Sequence, residues 1–203
     1  MPDTVLDPLT VPTPDDEQHL DRLHGQLVRG AAERDLVDLT YRVVDSPIGP
    51  LLLAATPAGL VRLAFESEGR DAVLESLATL IGPRVLHDPN GIAGMAEQLG
   101  EYFAGRRRAF EVPVDLRLAH GFRLDVLGQL RQIPYGATRS YAAVAASAGR
   151  PRAVRAVGSA CAHNPVPLVV PCHRVVRSDG TPGGYLGGPE AKAFLLRLES
   201  TAA

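Results

Sequence analysis

The sequence predicts an α+β fold, in which a small antiparallel sheet with helix precedes a mostly helical part that contains a helix-turn-helix. Two patterns carry this prediction. Apolar residues alternate in short segments between residues 39 and 65, whereas they recur at helical spacing from residue 121 onward. The chain has 203 residues, of which 45% are apolar, and this is enough for one large domain or two small ones with ordinary cores.

Three parts are expected along the chain. Residues 1 to 38 are predicted to form an acidic N-terminal extension, in which residues 1 to about 14 are a flexible arm and a helix begins at Asp15. We expect the sheet domain to cover residues 39 to 117 and the helix-turn-helix domain to cover residues 118 to 203. Composition and pattern both change near these boundaries.

The sheet domain begins with a hairpin signature. Alternating apolar residues from Leu39 lead into the turn Ser46-Pro47-Ile48-Gly49, and a third strand is expected from Leu60 to Phe65. The other predicted elements follow in chain order: a helix over 71–81, a loop over 83–91, a helix over 92–103 and a short strand over 111–116.

The second domain contains two helices separated by a short break. Ser140 is a good N-cap for a helix over residues 141–148, and a second helix is expected over residues 152–162 after Gly149-Arg150-Pro151. The second helix is rich in small residues, and Arg155 is its only long polar side chain beyond the first turn. Small side chains permit close approach to a surface, and a single arginine suits a minor-groove contact better than base reading in the major groove. An alanine-rich helix packed in a core is the alternative.

Charge is distributed unevenly, although the formal net charge is only -2. Residues 1 to 40 carry nine acidic residues against three arginines, whereas residues 126 to 178 carry seven arginines and no Asp or Glu. A stretch of one sign indicates an anionic substrate or a phosphate backbone, and a solvated basic face is the alternative. Two cysteines, with no secretory segment and no run long enough to span a membrane, predict a cytoplasmic protein without a membrane partner.

The candidate nucleophile is Cys172. An apolar run over residues 167–170 predicts a buried strand that Pro171 ends, so the thiol is expected to leave the core at a rigid point. His173 can accept a proton near neutral pH, and the charge of Arg174 favours the thiolate. The alternative interpretation is an inert buried thiol beside a surface histidine.

Several motifs together support the reactive interpretation. They occur in one order over about residues 120 to 199, and this chain resembles the O6-alkylguanine-DNA alkyltransferases, also called methylated-DNA-protein-cysteine methyltransferases. Residues 39 to 116 resemble the N-terminal domain of that family with weaker motifs. The motifs are Ile133-Pro134-Tyr135-Gly136, Thr138-Arg139-Ser140-Tyr141, Arg155-Ala156-Val157-Gly158, Asn164-Pro165, Pro171-Cys172-His173-Arg174-Val175 and Gly184-Tyr185 with Gly187-Gly188.

The resemblance implies that Cys172 is the alkyl acceptor. His173 would take the thiol proton through a water, Glu199 would orient the histidine, and Asn164 would hold the cysteine loop. Transfer to a thioether would be irreversible, so each molecule would act once. No cofactor and no metal are expected.

The resemblance also implies a set of DNA-contacting residues. Tyr141 would press on the phosphate beside the lesion, Arg155 would fill the gap left by the flipped base, Tyr185 would bond the guanine edge and Lys192 would fix the glycine-rich lid. The expected partner is double-stranded DNA with an alkylated guanine, bound by a monomer in the minor groove at the nucleoid, with O4-alkylthymine as a second candidate substrate. The expected DNA-contacting set is completed by Arg139, Ser140, Ala153 and Gly158.

This chain departs from the family pattern at a few positions. Leu127 stands where many relatives have tryptophan, Leu186 stands where some have a small polar residue, and the acidic extension before residue 39 has no recognised counterpart. The cysteine-containing zinc site of some members cannot form here.

Three alternatives remain beside the alkyltransferase hypothesis. A non-catalytic damage sensor would lack the acceptor cysteine, and Cys172 is present. A regulator built on the helix-turn-helix would need several base-reading side chains. A metal site is disfavoured because a Cys-x-His pair on a helix points its side chains apart; its candidates are Cys161, His163, Cys172 and His173.

Overall fold

The computed structural model describes residues 14 to 201, and the predicted flexible arm lies almost entirely outside that range. Helix α1, Pro14–Glu33, begins one residue before the expected Asp15 and belongs to a unit that ends at Val37. The helix prediction for the extension is therefore confirmed. Over the described residues, the helices are too short or too polar to cross a bilayer.

A four-stranded sheet opens the second unit, which begins at Asp38. Its strand order is β3-β2-β1-β4; the β1-β2 and β2-β3 pairs are antiparallel, as the hairpin signature predicts, and the β1-β4 pair is parallel. The bounds are β1 Leu39–Val44, β2 Leu51–Thr56, β3 Gly59–Phe65 and β4 Val85–His87. Helices α2, Arg70–Leu80, and α3, Ala93–Phe103, follow β3 and β4.

Two predictions in this region are wrong in detail. Strand β4 lies inside the expected loop over 83–91. It forms by backbone pairing with β1, and its three residues are too few to show a strand pattern in the sequence. The expected strand over 111–116 is only a single bridge between Leu60 and Val114. Pro113 has no N–H to donate to a longer ladder, so pairing stops there.

The remaining elements are mostly helical. Residues 167–170 do not form the expected strand but a buried turn that leads into a short 3-10 helix, Cys172–Arg174. A two-residue strand follows directly and pairs with another one in front of the helix-turn-helix. The bounds are α4 Phe122–Leu130, β5 Arg139–Ser140, α5 Tyr141–Ser147, α6 Val154–Ala162, β6 Val175–Val176 and α7 Gly188–Thr201.

Both faces of strand β2 are buried, which explains its uninterrupted apolar sequence. Leu52 and Ala54 pack in a cluster with α2 residues such as Leu77. Leu51 and Leu53 belong to the main core, which also includes the cysteine loop and the helices of the second half of the chain. The sheet and the candidate nucleophile therefore share one hydrophobic core.

Candidate active site

The candidate nucleophile, Cys172, lies at the end of a compact turn that one asparagine side chain organises. Asn164 Nδ2 donates to the Val170 carbonyl at 2.7 Å, and Asn164 Oδ1 accepts from the Val166 N–H at 3.1 Å. The Val170 N–H donates to the Val166 carbonyl at 2.9 Å, so the backbone turns back on itself. Asn164 is fully buried, and its role in holding the cysteine loop agrees with this geometry.

This asparagine also explains why the strand prediction fails. β-Branched, apolar residues favour extended backbone, but the amide of Asn164 satisfies the backbone groups of the segment without a partner strand. Leu168 has a φ of 71°, a left-handed conformation that tightens the turn at some cost for a non-glycine residue. The segment is buried as expected, but as a turn.

Cys172 is buried, with 2% of its surface exposed. Burial is the main cause that raises the pKa of its thiol to about 11, while the amide of Asn164 and the charge of Lys192 oppose the rise. The group is therefore a thiol at neutral pH, and it needs a base to become a nucleophile. Its position below the surface also means that a reactant must enter the protein.

His173, the candidate base, is completely buried. Its Nε2 lies 2.9 Å from Glu199 Oε1. Hydrogen bonds and charges from His173 and Arg174 oppose burial and hold the pKa of Glu199 at about 2, so the carboxylate can only accept and Nε2 must donate. Burial lowers the pKa of His173, so the ring is neutral near pH 7 and its lone pair is on Nδ1. Among the described residues, Nδ1 has no hydrogen-bond partner.

Glu199 receives five hydrogen bonds and is 1% exposed. Its Oε1 accepts from Tyr102 Oη at 2.7 Å and from Arg174 Nη2 at 2.8 Å, in addition to His173. Its Oε2 accepts from Arg174 Nε at 2.8 Å and from the Gly136 N–H at 3.1 Å. The carboxylate therefore joins helix α3, the cysteine loop and the Ile-Pro-Tyr-Gly turn.

The expected role of Arg174 needs correction. Its guanidinium is paired with Glu199 through two nitrogens, and its Nη1 donates to the Ile133 carbonyl at 2.6 Å. The positive charge that lowers the pKa of the Cys172 thiol is that of Lys192. Arg174 stabilises the carboxylate behind the base.

The glycine-rich segment is linked to helix α7 through one lysine. Lys192 is buried, and its Nζ donates to the carbonyls of Val175, at 2.6 Å, and Gly184, at 3.5 Å, which are the contacts through which it would fix the predicted glycine-rich lid. Tyr185 Oη is buried and, within residues 14 to 201, has no hydrogen-bond partner. Burial first, and then the nearby Cys172, raise the pKa of Tyr185, so its hydroxyl remains a donor available to a ligand.

The helix-turn-helix is attached directly to the cysteine loop. Strand β5 pairs in parallel with β6, which brings Arg139 opposite Val175 and Ser140 opposite Val176. Ser140 Oγ accepts from the Ala143 N–H at 3.1 Å, which confirms the predicted N-cap of α5. Arg139 and Ser140 are thus partly buried structural residues of the junction as well as candidates for DNA contact.

Helix α6 presents a small-residue surface with one long side chain. Arg155 is exposed, and Ala153 and Gly158 are partly exposed on the same helix. Tyr141, at the start of α5, is partly buried, and Lys192 Nζ lies 5.9 Å from the centre of its ring. The opposite face of α6 belongs to the core through Val157, Ala160 and Cys161.

The alternative metal site finds no support in this arrangement. Within the described part of the chain, no three His, Cys, Asp or Glu side chains are grouped so that they could hold a metal ion. Cys161 and Cys172 are both buried free thiols.

Comparison with family models identifies both halves of the second unit. Residues 39–116 match the model described as "6-O-methylguanine DNA methyltransferase, ribonuclease-like domain", and residues 121–201 match "6-O-methylguanine DNA methyltransferase, DNA binding domain". The chain belongs to the O6-methylguanine-DNA methyltransferase family. The resemblance inferred from the motifs is thereby confirmed.

Named members of this family are similar over most of their length. The methylated-DNA-protein-cysteine methyltransferase of Mycolicibacterium paratuberculosis is 44% identical over 167 residues, which cover 79% of this chain and 92% of that protein. The constitutive enzyme of the same name from Bacillus subtilis is 39% identical over 160 residues, with coverage of 78% and 94%.

Solved structures of the family have the same fold. The crystal structure of the O6-methylguanine methyltransferase of Mycobacterium tuberculosis is 41% identical, covers 81% of this chain and 94% of its own, and superposes with a TM-score of 0.72. The structure titled M. tuberculosis OGT in complex with DNA matches with the same identity, coverage and TM-score. The predicted α+β fold class is confirmed.

The sequence does not reveal two of the donors to the Glu199 carboxylate. Tyr102 lies on helix α3, where nothing in the sequence suggests a role in the chemistry, and 97 positions separate it from Glu199. Arg174 adjoins the predicted base, but its partner is distant in the chain. Tyr102 is the tyrosine of the helix predicted over residues 92–103, and an aromatic residue there indicates a core position rather than a part in the chemistry.

Proposed function

We propose that this protein repairs DNA by direct reversal, as a methylated-DNA-protein-cysteine methyltransferase that moves the alkyl group of O6-alkylguanine to its own Cys172. The observation that carries the proposal is a buried thiol next to a neutral histidine, whose Nε2 is held by Glu199 and whose Nδ1 is free to take a proton. The similar proteins named above carry the same activity in their names.

The proton is the first group to move. His173 Nδ1 accepts the thiol proton through a bridging water, and Glu199 stabilises the imidazolium that forms. The buried Lys192 opposes the desolvation of the sulfur anion. Because burial keeps both partners neutral at rest, the thiolate forms only when a substrate is present to use it.

The thiolate then attacks the saturated carbon on O6 from behind. A carbon–sulfur bond forms, the carbon–oxygen bond breaks, and guanine leaves with the bonding electrons. Tyr185 Oη, a buried donor without a partner among the described residues, hydrogen-bonds the edge of the leaving base. The proton that left Cys172 returns to guanine by way of His173, so the products are guanine and a thioether. The thioether is stable, so one molecule repairs one lesion.

Access to the buried sulfur requires the base to leave the helix. Helix α6 has a surface of small residues around Arg155, and this surface suits close approach to the minor groove, with the arginine filling the space of the extruded guanine. Tyr141, Ala153 and Gly158 would contact the backbone beside it, as would Arg139 and Ser140. We propose that the protein binds as a monomer and works in the cytoplasm at the nucleoid.

The alternatives fit less well. A damage sensor has no use for a thiol with a proton acceptor behind it, and a sequence-reading regulator needs more than one long polar side chain on its exposed helix face. A duplex that contains O6-methylguanine with a labelled methyl group tests the proposal. Peptide mass mapping should find one methyl on Cys172. Cys161→Ser should gain the methyl as the wild type does, and Cys172→Ser should not; an unmodified wild-type Cys172 would refute the proposal.

A further inference from the structure

A phenol from helix α3 reaches the carboxylate of Glu199. Tyr102, on helix α3, is completely buried, and its hydroxyl donates to Glu199 Oε1 at 2.7 Å. The same oxygen accepts from His173 Nε2 at 2.9 Å. The tyrosine hydroxyl and the imidazole therefore compete for the electron density of one oxygen atom.

We propose that Tyr102 is a positioning residue for alkyl transfer, whose hydroxyl holds Glu199 Oε1 against His173 and moderates the pull of the carboxylate on the imidazole. The proposal rests on the function assigned above to Cys172, His173 and Glu199. Tyr102 touches neither the sulfur nor the substrate in this scheme. It acts through Glu199 alone.

The phenol is well suited to this task. Burial and the charge of Glu199 raise the pKa of Tyr102 far above its ordinary value. The hydroxyl therefore stays protonated and can donate a hydrogen bond at every pH at which the protein is folded. Its ring is fixed by edge or tilted contacts with Phe103, Phe110 and Tyr135 at centroid distances of 5.5, 5.2 and 6.0 Å. A donor held in this way costs little additional entropy when it binds the carboxylate.

Loss of the Tyr102 hydroxyl should change the pKa of His173 in a definite direction. Without Tyr102 Oη, the negative charge on Oε1 is less dispersed, and it stabilises the imidazolium form of His173 more strongly. The pKa of His173 should therefore rise. Protonated His173 cannot accept the proton of Cys172, so the rate of methyl transfer should fall at a higher pH than in the wild type.

Other charged or titratable groups near this centre remain in place. On the cysteine turn, Cys172 and Arg174 adjoin His173; from α7, Glu199 and Lys192 face it; and the ring of Tyr185 lies 6.3 Å from its own. Around Tyr102 the corresponding groups are Glu199, Arg174 and Tyr135. Replacement of one hydroxyl leaves all of these charges unchanged.

The test compares Tyr102→Phe with Tyr135→Phe. Tyr135 Oη lies 3.4 Å from the Leu198 carbonyl, so this control removes a hydroxyl beside the same helix but not from the carboxylate. Single-turnover transfer from a duplex with O6-methylguanine is measured against pH. In Tyr102→Phe the acid limb of the profile of transfer rate against pH should move to higher pH by about half a unit or more, whereas the profile of Tyr135→Phe should follow the wild type.

Incorporation of 3-fluorotyrosine at position 102 provides the opposite change. A more acidic phenol is a stronger donor, so the acid limb should move to lower pH. A merely structural role would lower the plateau rate without moving the limb. Wild-type midpoints in both variants would overturn the proposal. The pKa of His173, followed by nuclear magnetic resonance without any DNA, should shift in the same directions. This measurement tests the role of Tyr102 independently of the proposed repair activity.

Discussion

Glu199 Oε1 lies 2.9 Å from His173 Nε2, although 26 positions separate the two residues in the chain. The contact fixes the tautomer of the histidine. A carboxylate that can only accept holds the proton on Nε2, so Nδ1 is the nitrogen that can accept a proton. The same contact couples the chemistry to folding. The carboxylate is buried, and its cationic and neutral donors must all be in place to hold it there.

Replacement of Glu199 by Gln should change how stability depends on pH. The folded-state pKa of Glu199 is about 2, below its ordinary value of 4.5. The ionised carboxylate therefore contributes about 3 kcal/mol to the free energy of unfolding. This contribution is complete above about pH 4.5 and is lost as the pH falls toward 2. Chemical denaturation at several pH values should show a weaker pH dependence in Glu199→Gln over this window, together with lower stability at pH 7 because Arg174 loses its charged partner.

The control for this prediction is Glu190→Gln, which replaces an exposed carboxylate at the start of the same helix. Its stability should follow the wild-type curve at every pH. Equal slopes for Glu199→Gln and the wild type between pH 2 and 4.5 would contradict the assignment of acid sensitivity to this carboxylate.

Two glycines of the lid should differ sharply in their tolerance of alanine. A Cβ at Gly187 would lie 2.6 to 2.8 Å from three ring carbons of Phe65, whereas a Cβ at Gly184 would have no atom within 4 Å. Phe65 also makes an edge contact with Tyr185 at 5.5 Å between ring centres. Gly187→Ala should therefore displace the donor of Tyr185 and slow methyl transfer about tenfold or more, while Gly184→Ala stays within about twofold of the wild type.

A double variant checks the cause of this difference. Phe65→Leu, which shortens the side chain that meets the new methyl group, should recover part of the rate when it is combined with Gly187→Ala. Single-turnover rates of the two single variants and the double variant form a thermodynamic cycle. Simple additivity of the two losses would show that Phe65 does not carry the effect.

Arg155→Ala should separate base flipping from chemistry. The side chain is exposed on α6, whereas the thiol is buried, so its loss should leave reaction with free O6-benzylguanine within about twofold of the wild type. Repair of a methylated duplex should slow by at least about tenfold, because only the duplex requires a base to be lifted out of the stack. The two rates are measured by mass gain on Cys172, and equal losses on both substrates would be incompatible with a role in filling the gap.

Much of the site could be anticipated from local chemistry in the chain. Ser140 precedes an apolar helical segment, and its hydroxyl caps that helix as predicted. Helices α1, α2, α3, α5 and α6 lie at or near their expected positions, because helical periodicity and N-caps are local signals. The motifs around Cys172 and Arg155 are sufficient to indicate the family, because their reactive and small residues occur in the order and at the spacing that the family shows.

Pairing between distant segments could not be anticipated in the same way. Strand β4 exists only because β1 offers it a backbone partner, and the β5-β6 pair attaches the helix-turn-helix to the cysteine loop with two residues on each side. The turn at residues 167–170 was predicted as a strand because apolar composition reports burial but not backbone conformation. The amide of Asn164 decides that conformation through bonds to Val166 and Val170.

Local sequence is enough to predict Cys172 as the nucleophile, His173 as its base and helices α5 and α6 as the DNA-facing elements, because each prediction depends on residue types at short range. The electrostatics of the candidate site depend instead on tertiary contacts. Burial keeps the Cys172 thiol and the His173 imidazole neutral, Arg174 pairs with Glu199, and Tyr102 on helix α3 donates to the same carboxylate oxygen. Proton affinities depend on which charges and dipoles lie within a few ångströms, and chain folding alone brings these groups together.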